Sequence, residues 1–400
     1  MNPRNVLLEA FHAALAAVDA RRCVRDALAA QSPAATWHIV AVGKAAGAMA
    51  LGAVEALGPQ VAGGLVVLPP GHLPAQLAPA RHGLRILEAS HPVPDERSVV
   101  AGEAVAQFVT GLPAAARLMF LVSGGASALL EWPRAGVTLE DIALLNRWAL
   151  GAGLPIGALN ALRRRLSRLK GGGLAALAAG RHCVALMVSD VPGDDPRVIG
   201  SGLLHAPPPG ADDGLAVPAA LRPALSRVER EAVRPLPVPR IPTRVVASLR
   251  LASLAAASRA EALGCRPVIG RSRLQGDAAE AGSALAVRAR RLADRALLIC
   301  GGETTVTLPA EAGRGGRSQH LALAAAIELA TTPACGVTLL AAGTDGIDGA
   351  TADAGALVDG GTCTRGRDAG LHPSVSLARA DSGSFLEAAG DLLHTGPTLT

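Results

Sequence analysis

The chain predicts an α/β fold of two three-layer domains, the first built on a Rossmann-like, mostly parallel sheet and the second smaller. Three observations carry that prediction. Strand-sized apolar runs alternate with segments of helical apolar spacing, the pattern of a sheet covered on both faces. A length of 400 residues is too long for one core and suits two of ordinary size. With 50% hydrophobic and 18% charged residues, the composition is the opposite of a disordered chain.

In order, the strand-like runs are WHIVAV (37–42), GLVVLP (64–69), LRILEA (84–89), RLMFLVS (117–123), HCVALMVS (182–189), TRVVAS (243–248), ALLIC (296–300) and GVTLLAA (336–342). Between them, Glu103 to Val109 and Leu321 to Leu329 place apolar residues at helical spacing. The stretch from Pro207 to Pro242 holds nine of the 28 prolines, which block regular structure and stiffen a connector. The domain boundary is therefore expected near residue 238, giving domains 1–237 and 238–400 with an active site in the interdomain cleft. RLMFLVSGGAS (117–127) and ALLICGGETT (296–305) each run a strand into Gly-Gly, a variable residue, then Ser or Thr, as a partial duplication would.

Several function classes drop out. No apolar run reaches the roughly 18 residues of a membrane span. The opening MNPRNVLLEAFHAAL carries Glu9 early and lacks a cleavage-like end, so neither signal nor transit peptide is read. The net charge of +5 comes from scattered residues, and four Phe, three Trp and no Tyr leave little for base stacking. That argues against nucleic acid and for small anionic ligands. The six cysteines (23, 183, 265, 300, 335 and 363) lie far apart with no CxxC pair, so a reducing cytoplasm is the natural setting and no zinc site is expected. Of the 38 basic residues only Lys44 and Lys170 are lysines. In a chain so biased toward arginine, these two mark places where a compact ammonium serves and a planar fork does not.

In AVGKAAGAM (41–49) a strand ends at Val42, Gly43 permits a tight turn, and Lys44 opens an Ala-rich helix whose N-terminus attracts anions. A plain turn with a solvent-facing lysine is the alternative. It is not a Walker A loop, because Ala45 stands where the Mg-binding Ser or Thr would. Ser123, Gly124, Gly125 and Ser127 of SGGAS, and Gly301, Gly302 and Glu303 of CGGETT, form loops whose paired glycines let amides approach a phosphate. Tight turns are the alternative for either loop alone. In VSDVPGDDPRVIGSG (188–202), Asp190 sits at a strand's carboxyl end, where open α/β sheets place ligands, and suits Mg2+.

GRGGRSQH (313–320) sets Arg314 and Arg317 at a helix start, suited to clamping carboxylate or phosphate. AAGTDGIDGATADAGALVDG (341–360) repeats Asp345, Asp348 and Asp353 among glycines, as carboxylates for a Mg-nucleotide, a base for a hydroxyl, or a polar turn. NALRRRLSRLKGGG (160–173) reads as a basic helix with Arg163, Ser167 and Lys170 on one face, ended by glycines.

In this order the segments resemble the type II glycerate kinases, the family whose C-terminal part is the MOFRL domain. The matching stretches are AVGKAAGAMA, SHPVPDERSVVAGE, LVSGGASALLEWP, LSRLKGGGL, VSDVPGDDPRVIGSG, CGGETTVTL, GRGGRSQHLALAAA and LAAGTDGIDGATADAGA. The resemblance implies ATP- and Mg2+-dependent phosphorylation of D-glycerate at its 2-hydroxyl, giving 2-phosphoglycerate. A homodimer is compatible with it. Lys44 matches the family's proposed catalytic lysine and Arg317 its cleft arginine, while Asp190 falls in a Ser-Asp motif and Asp345 in a Thr-Asp-Gly motif. Lys44, Gly43, Lys170 and the two Gly-Gly loops are then expected on the phosphates. Arg317 takes the glycerate carboxylate or the transferring group. Asp190 and Asp345 share Mg2+ binding and activation of the hydroxyl.

The chain departs from the family at Ser318 and Leu249, each in place of a usual Asn, and at Arg165, in place of a usual His. It stops at GPTLT (396–400), where relatives continue. Another hydroxy acid, or a weakened kinase, fits these departures. A hydroxypyruvate reductase, the rival reading, would need a dinucleotide site, and GKAAG, SGGAS and GRGGRS all miss GxGxxG. A non-catalytic metabolite-binding protein is the third class.

Overall fold

A computed structural model describes residues 2–29, 36–152, 156–208, 217, 219–230, 237–332, 336–396 and 398. Cys335, parts of the proline-rich connector and part of GPTLT lie outside the described residues. The chain forms two compact units, Ala20–Ser248 and Met1–Asp19 with Leu249–Thr400.

In the Ala20–Ser248 unit, six strands form one parallel sheet. They are β1 (Trp37–Val42), β2 (Val61–Leu68), β3 (Leu84–Glu88), β4 (Arg117–Val122), β5 (His182–Ser189) and β6 (Thr243–Ser248), in the order β3-β2-β1-β4-β5-β6. The α/β class and the parallel sheet are as the apolar runs predict. Val40, Val42, Phe120 and Val122 of the central strands pack with Val105, Val109, Leu129 and Leu174 in one buried cluster. The helix Glu96–Gly111 starts on a capping box, with Asp95 accepting from the Ser98 amide and Ser98 Oγ accepting from the Asp95 amide. The strand order reverses between β1 and β4. A doubly wound sheet opens its ligand crevice there, beyond the carboxyl ends of the strands.

The second unit joins a parallel pair, β7 (Arg266–Ile269) and β8 (Ala296–Ile299), to an antiparallel sheet of β9 (Thr338–Ala342), β10 (Gly355–Asp359) and β11 (Leu392–Leu393). Helix Arg317–Leu329 is central to it: Leu323 and Ala326 pack with Val358, Phe385 and Leu386. On another side it meets helix Ala278–Ala289, where a Cβ on Gly282 would collide with the Leu321 carbonyl.

This division differs from the expected 1–237 and 238–400. β6 pairs with β5 and so completes the first sheet through residue 248. The helix Pro3–Val18 packs instead on helix Leu249–Ala262, with Glu9 bridging Arg259 at 2.9 Å and Arg4 reaching Asp359 and the buried Asp391. Proline content reports where regular structure is interrupted, which is not where sheet membership changes.

The expected basic helix is also shorter. It spans Ile156–Leu166, and Lys170 lies in the turn beyond it, where Gly171 and Gly172 take φ of +63° and +88°. The Lys170 side chain is 0% exposed, ion-paired to Glu131 and 3.4 Å from the Leu130 carbonyl. Lys170 therefore shares no helix face with Arg163 and presents no surface to a nucleotide. Burial pulls its ammonium below the usual lysine range while Glu131 opposes that pull. Removing one partner of such a pair leaves a buried, uncompensated charge, so Glu131→Gln is expected to cost about 3 kcal/mol in denaturant unfolding. Adding Lys170→Met should recover most of that loss, and a double variant as unstable as the single one would refute the pairing.

Candidate active site

Beyond the carboxyl ends of β1, β4 and β5, three turns are held together by backbone geometry. Gly43 has φ +129°, and a Cβ on it would come within 2.7 Å of the Ser123 carbonyl oxygen. The Lys44 amide donates to the Gly124 carbonyl at 2.9 Å, the Ala45 amide to Ser123 Oγ at 3.1 Å, and the Ser123 amide to the Val42 carbonyl at 3.0 Å. Ser123 is thus a buried cross-tie, and Lys44 is the exposed residue in an otherwise buried turn.

Gly124 abuts Asp190, since a Cβ there would approach the carboxyl Cγ within 2.9 Å. Gly125, at φ +83°, lies under two side chains: its Cβ would sit 3.0 Å from the His91 ring and 3.2 Å from Lys44 Cγ. The amides of Gly124 and Gly125 take no part in the cross-ties. Ser127 Oγ shares a 2.7 Å hydrogen bond with Ser201. The fold therefore gathers Gly43, Lys44, Ser123, Gly124, Gly125, Ser127 and Asp190 at one edge.

His91 stands inside SHPVPDERSVVAGE, yet the motifs do not single it out. It follows β3 closely, and the carboxyl ends of parallel strands share one sheet edge, which is the signal that could have found it. Burial, then the charges of Lys44, His72 and Arg163, push its pKa down to about 4, so the ring is neutral at neutral pH.

Among the described residues, no three His, Cys, Asp or Glu side chains converge on a common metal position. Mg2+ does not require such a cage, because one or two carboxylates with substrate phosphates and water suffice. Asp190, exposed beside a loop without side chains, fits that donor set.

In the other unit, Arg317 opens its helix from a firm base. Asp348 is buried and accepts from the Ser318 and Gln319 amides at 2.9 and 2.7 Å, capping the helix from a distant loop. Burial raises the Asp348 carboxyl above the usual range, with these amides opposing. Arg317 itself is exposed and bridges exposed Glu303 at 2.6 Å, an ion pair worth only about 0–1 kcal/mol and readily opened by an anion. Asp345 is exposed, its Oδ1 accepting the Ile347 amide at 3.3 Å. Arg314 braces the fold through Asp353, at 3.0 Å, and Glu387.

The second Gly-Gly loop does not repeat the first. SGGAS enters the helix Ala126–Leu129, whereas CGGETT runs extended, bridging at Gly302 to Leu274 and at Thr305 to Asp277. Its Glu303 and Thr305 amides donate to the Leu274 and Gly276 carbonyls at 2.9 and 2.8 Å, and Gly301 lies under the Leu249 side chain. Packing alone requires both glycines, Gly301 against the Leu249 side chain and Gly302 against the Leu274 backbone, so the geometry around them differs from that of Gly124 and Gly125.

Residues 6–234 match the family model described as a domain of unknown function (DUF4147), and residues 296–400 match the MOFRL family. A D-glycerate 2-kinase from Thermotoga maritima is 37% identical over 372 residues, covering 90% of this chain and 88% of that protein. A protein of Agrobacterium vitis with the provisional name hydroxypyruvate reductase is 40% identical over 415 residues, covering 100% and 93%. The crystal structure of glycerate kinase from Thermotoga maritima superposes with a TM-score of 0.85 at 34% identity, covering 99% of this chain and 96% of that one.

The His91 shift carries a stability consequence. With a folded pKa near 4 against the ordinary 6.5, the unfolded chain takes up the proton first as pH falls. The contribution is whole above pH 6.5 and is lost as pH drops from 6.5 toward 4. His205 and His320, also lowered by burial, add to the same slope. Melting temperatures at neutral and at acid pH should therefore differ less in His91→Gln than in the parent, and equal differences would contradict the assignment.

Proposed function

The chain belongs to the family that joins the DUF4147 and MOFRL domains, and from that membership we propose that it is a glycerate kinase transferring the terminal phosphoryl group of ATP to the 2-hydroxyl of D-glycerate. The observation that carries the reading is the turn cluster at the strand reversal: an exposed Lys44 and a carboxylate, Asp190, on either side of a glycine floor. Phosphoryl transfer asks little covalent work of a protein, and alignment with charge neutralisation supplies most of the rate.

In this reading Lys44 sets a point charge on the phosphates, and Gly124 and Gly125, lacking side chains, let those oxygens reach the amides. The substrate hydroxyl oxygen forms a bond to the terminal phosphorus as the bond to the bridging oxygen breaks, and its proton passes to a carboxylate, Asp190 or Asp345. Mg2+, when bound, would neutralise phosphate charge, and Asp190 is the carboxylate of the Ala20–Ser248 unit that would hold it. Arg317 is assigned to the carboxylate or the transferring group. Phosphate contact is assigned first to the SGGAS loop, which stands beside Lys44 and Asp190, whereas in CGGETT the Glu303 and Thr305 amides are already committed. We place the enzyme in the cytoplasm, in keeping with thiols at Cys183, Cys265, Cys300 and Cys363 that are not joined in disulfides.

The hydroxypyruvate reductase reading rests on the name of the Agrobacterium vitis relative. The turn after β1, Gly43-Lys44-Ala45, has Ala45 where a dinucleotide fingerprint places its second glycine for close approach to the pyrophosphate. Oxidation of NADH or NADPH by hydroxypyruvate is the measurement that would favour it.

Mg-ATP and D-glycerate, coupled to enolase and pyruvate kinase without phosphoglycerate mutase, should give a steady rate, because only 2-phosphoglycerate produces signal there. No rate from folded protein would reject the 2-hydroxyl assignment. Lys44→Ala is expected to lower kcat by about 100-fold or more, and Lys44→Arg should not restore it, because a planar fork cannot replace the compact ammonium. Undiminished turnover in Lys44→Ala would remove the first element of the scheme.

A further inference from the structure

We propose that Arg163 binds the carboxylate of the acceptor, with His91 beside it, and so makes the Ala20–Ser248 unit selective for hydroxy acids over neutral alcohols. The proposal rests on the glycerate kinase reading and leaves Arg317 to the transferring phosphoryl group.

Arg163 sits in the last turn of helix Ile156–Leu166, half-buried. Its guanidinium is oriented by neutral oxygens: Nη1 lies 3.5 Å from Asn160 Oδ1, and Nη2 donates to Asn146 Oδ1. Both asparagines are buried and themselves fixed. Asn146 donates Nδ2 to the Ile142 carbonyl at 2.8 Å, which turns its oxygen toward Arg163. Asn160 Oδ1 also accepts from Ser201 Oγ at 2.9 Å, and Ser201 is bonded to Ser127 of the Gly-Gly loop. A short relay thus ties the guanidinium to the phosphate side of the site.

Among the described residues Arg163 makes no ion pair. The nearby carboxylate, Glu131, is committed to Lys170, though its charge is felt at Arg163. Lys44 likewise makes no ion pair among the described residues. Each of these two cations therefore lacks a carboxylate partner among the described residues, and an anionic ligand would supply one.

The two cations differ in what they suit. Lys44, a point charge beside the glycine floor, suits phosphate. Arg163, a fixed planar fork, suits the two oxygens of a carboxylate. His91 lies with Lys44 over Gly125 and also feels the charge of Arg163. As a neutral ring it offers one N–H and one lone pair, a complement to a hydroxyl next to a carboxylate.

The test compares D-glycerate with its neutral amide, D-glyceramide, in the parent protein, Arg163→Gln and Arg163→Lys. Arg163→Gln should raise KM for D-glycerate about 100-fold, leave KM for ATP within about twofold, and abolish the preference for acid over amide. Arg163→Lys, which keeps the charge without the fork, should recover only part of that preference. A purely structural role would lower kcat or melting temperature with the acid-to-amide preference intact, and that result, or an unchanged KM, overturns the proposal.

If the parent turns over no glycerate, the kinase reading fails, and calorimetric binding of D-glycerate decides this proposal separately. Binding lost in Arg163→Gln at unchanged melting temperature supports it. Binding retained in the variant, or absent from the parent, sinks it.

Discussion

Where β1 ends, the backbone of Gly43 runs against Ser123 with no space for a Cβ, and the amides of Lys44 and Ala45 are spent on the neighbouring turn. That close approach determines the direction of Lys44. The helix that follows, Ala46–Leu57, is buried on almost every side and made of small residues, with Gly47 against Pro74 and Gly52 against the Arg21 carbonyl. A helix packed this tightly cannot roll to bring another face outward. The lysine therefore leaves the fold at one point, over Gly125, and every later feature of the edge is measured from there.

Charge is distributed unevenly around that point. The buried Lys170 is matched by Glu131, as a charge in a low-dielectric setting must be. Lys44 and Arg163 lie nearer solvent and are held by geometry and neutral oxygens. The same chemical group thus has opposite roles at two places in the chain: Lys170 joins the segment after helix Ile156–Leu166 to the backbone around Glu131, whereas Lys44 is left available. Conservation of lysine character alone could not separate the two, because a compact ammonium is the right tool for both.

Much of the fold was legible because the buried strands are continuous apolar runs: all eight runs picked from the sequence form strands. β7, β10 and β11 escaped for physical reasons. β7 is largely exposed and begins Arg266-Pro267, β11 is two residues long, and β10 lies directly behind an Asp- and Gly-rich loop that reads as one long turn. The site was half legible. Gly43, Lys44, Gly124, Gly125 and Asp190 stand in strand-end motifs and do meet. His91 and Asn160 stand inside SHPVPDERSVVAGE and NALRRRLSRLKGGG, but nothing in those stretches singles them out, and only the topology brings them to this edge. CGGETT resembles SGGAS in sequence because identical glycines can serve amide exposure or close packing, and the neighbours that require glycine here are Leu249 and Leu274.

Those neighbours bear on how the acceptor is recognised. The two positions where this chain lacks the family's usual Asn are both turned inward. Ser318 gives its amide and its hydroxyl to Asp348, so it belongs to the cap beneath Arg317. Leu249 starts helix Leu249–Ala262 and lays its side chain on Gly301, covering with hydrocarbon the place where an amide could have met a ligand. With both amides gone, the Leu249–Thr400 segment keeps Arg317 and Asp345 as its exposed groups for a charged ligand but loses neutral donors with fixed direction. On the proposed glycerate kinase reading, directional recognition of a small hydroxy acid then falls to groups whose orientation the fold does determine. The Asn146 and Asn160 carboxamides aiming Arg163, and the half-buried neutral His91, are such groups, and they lie in the Ala20–Ser248 unit.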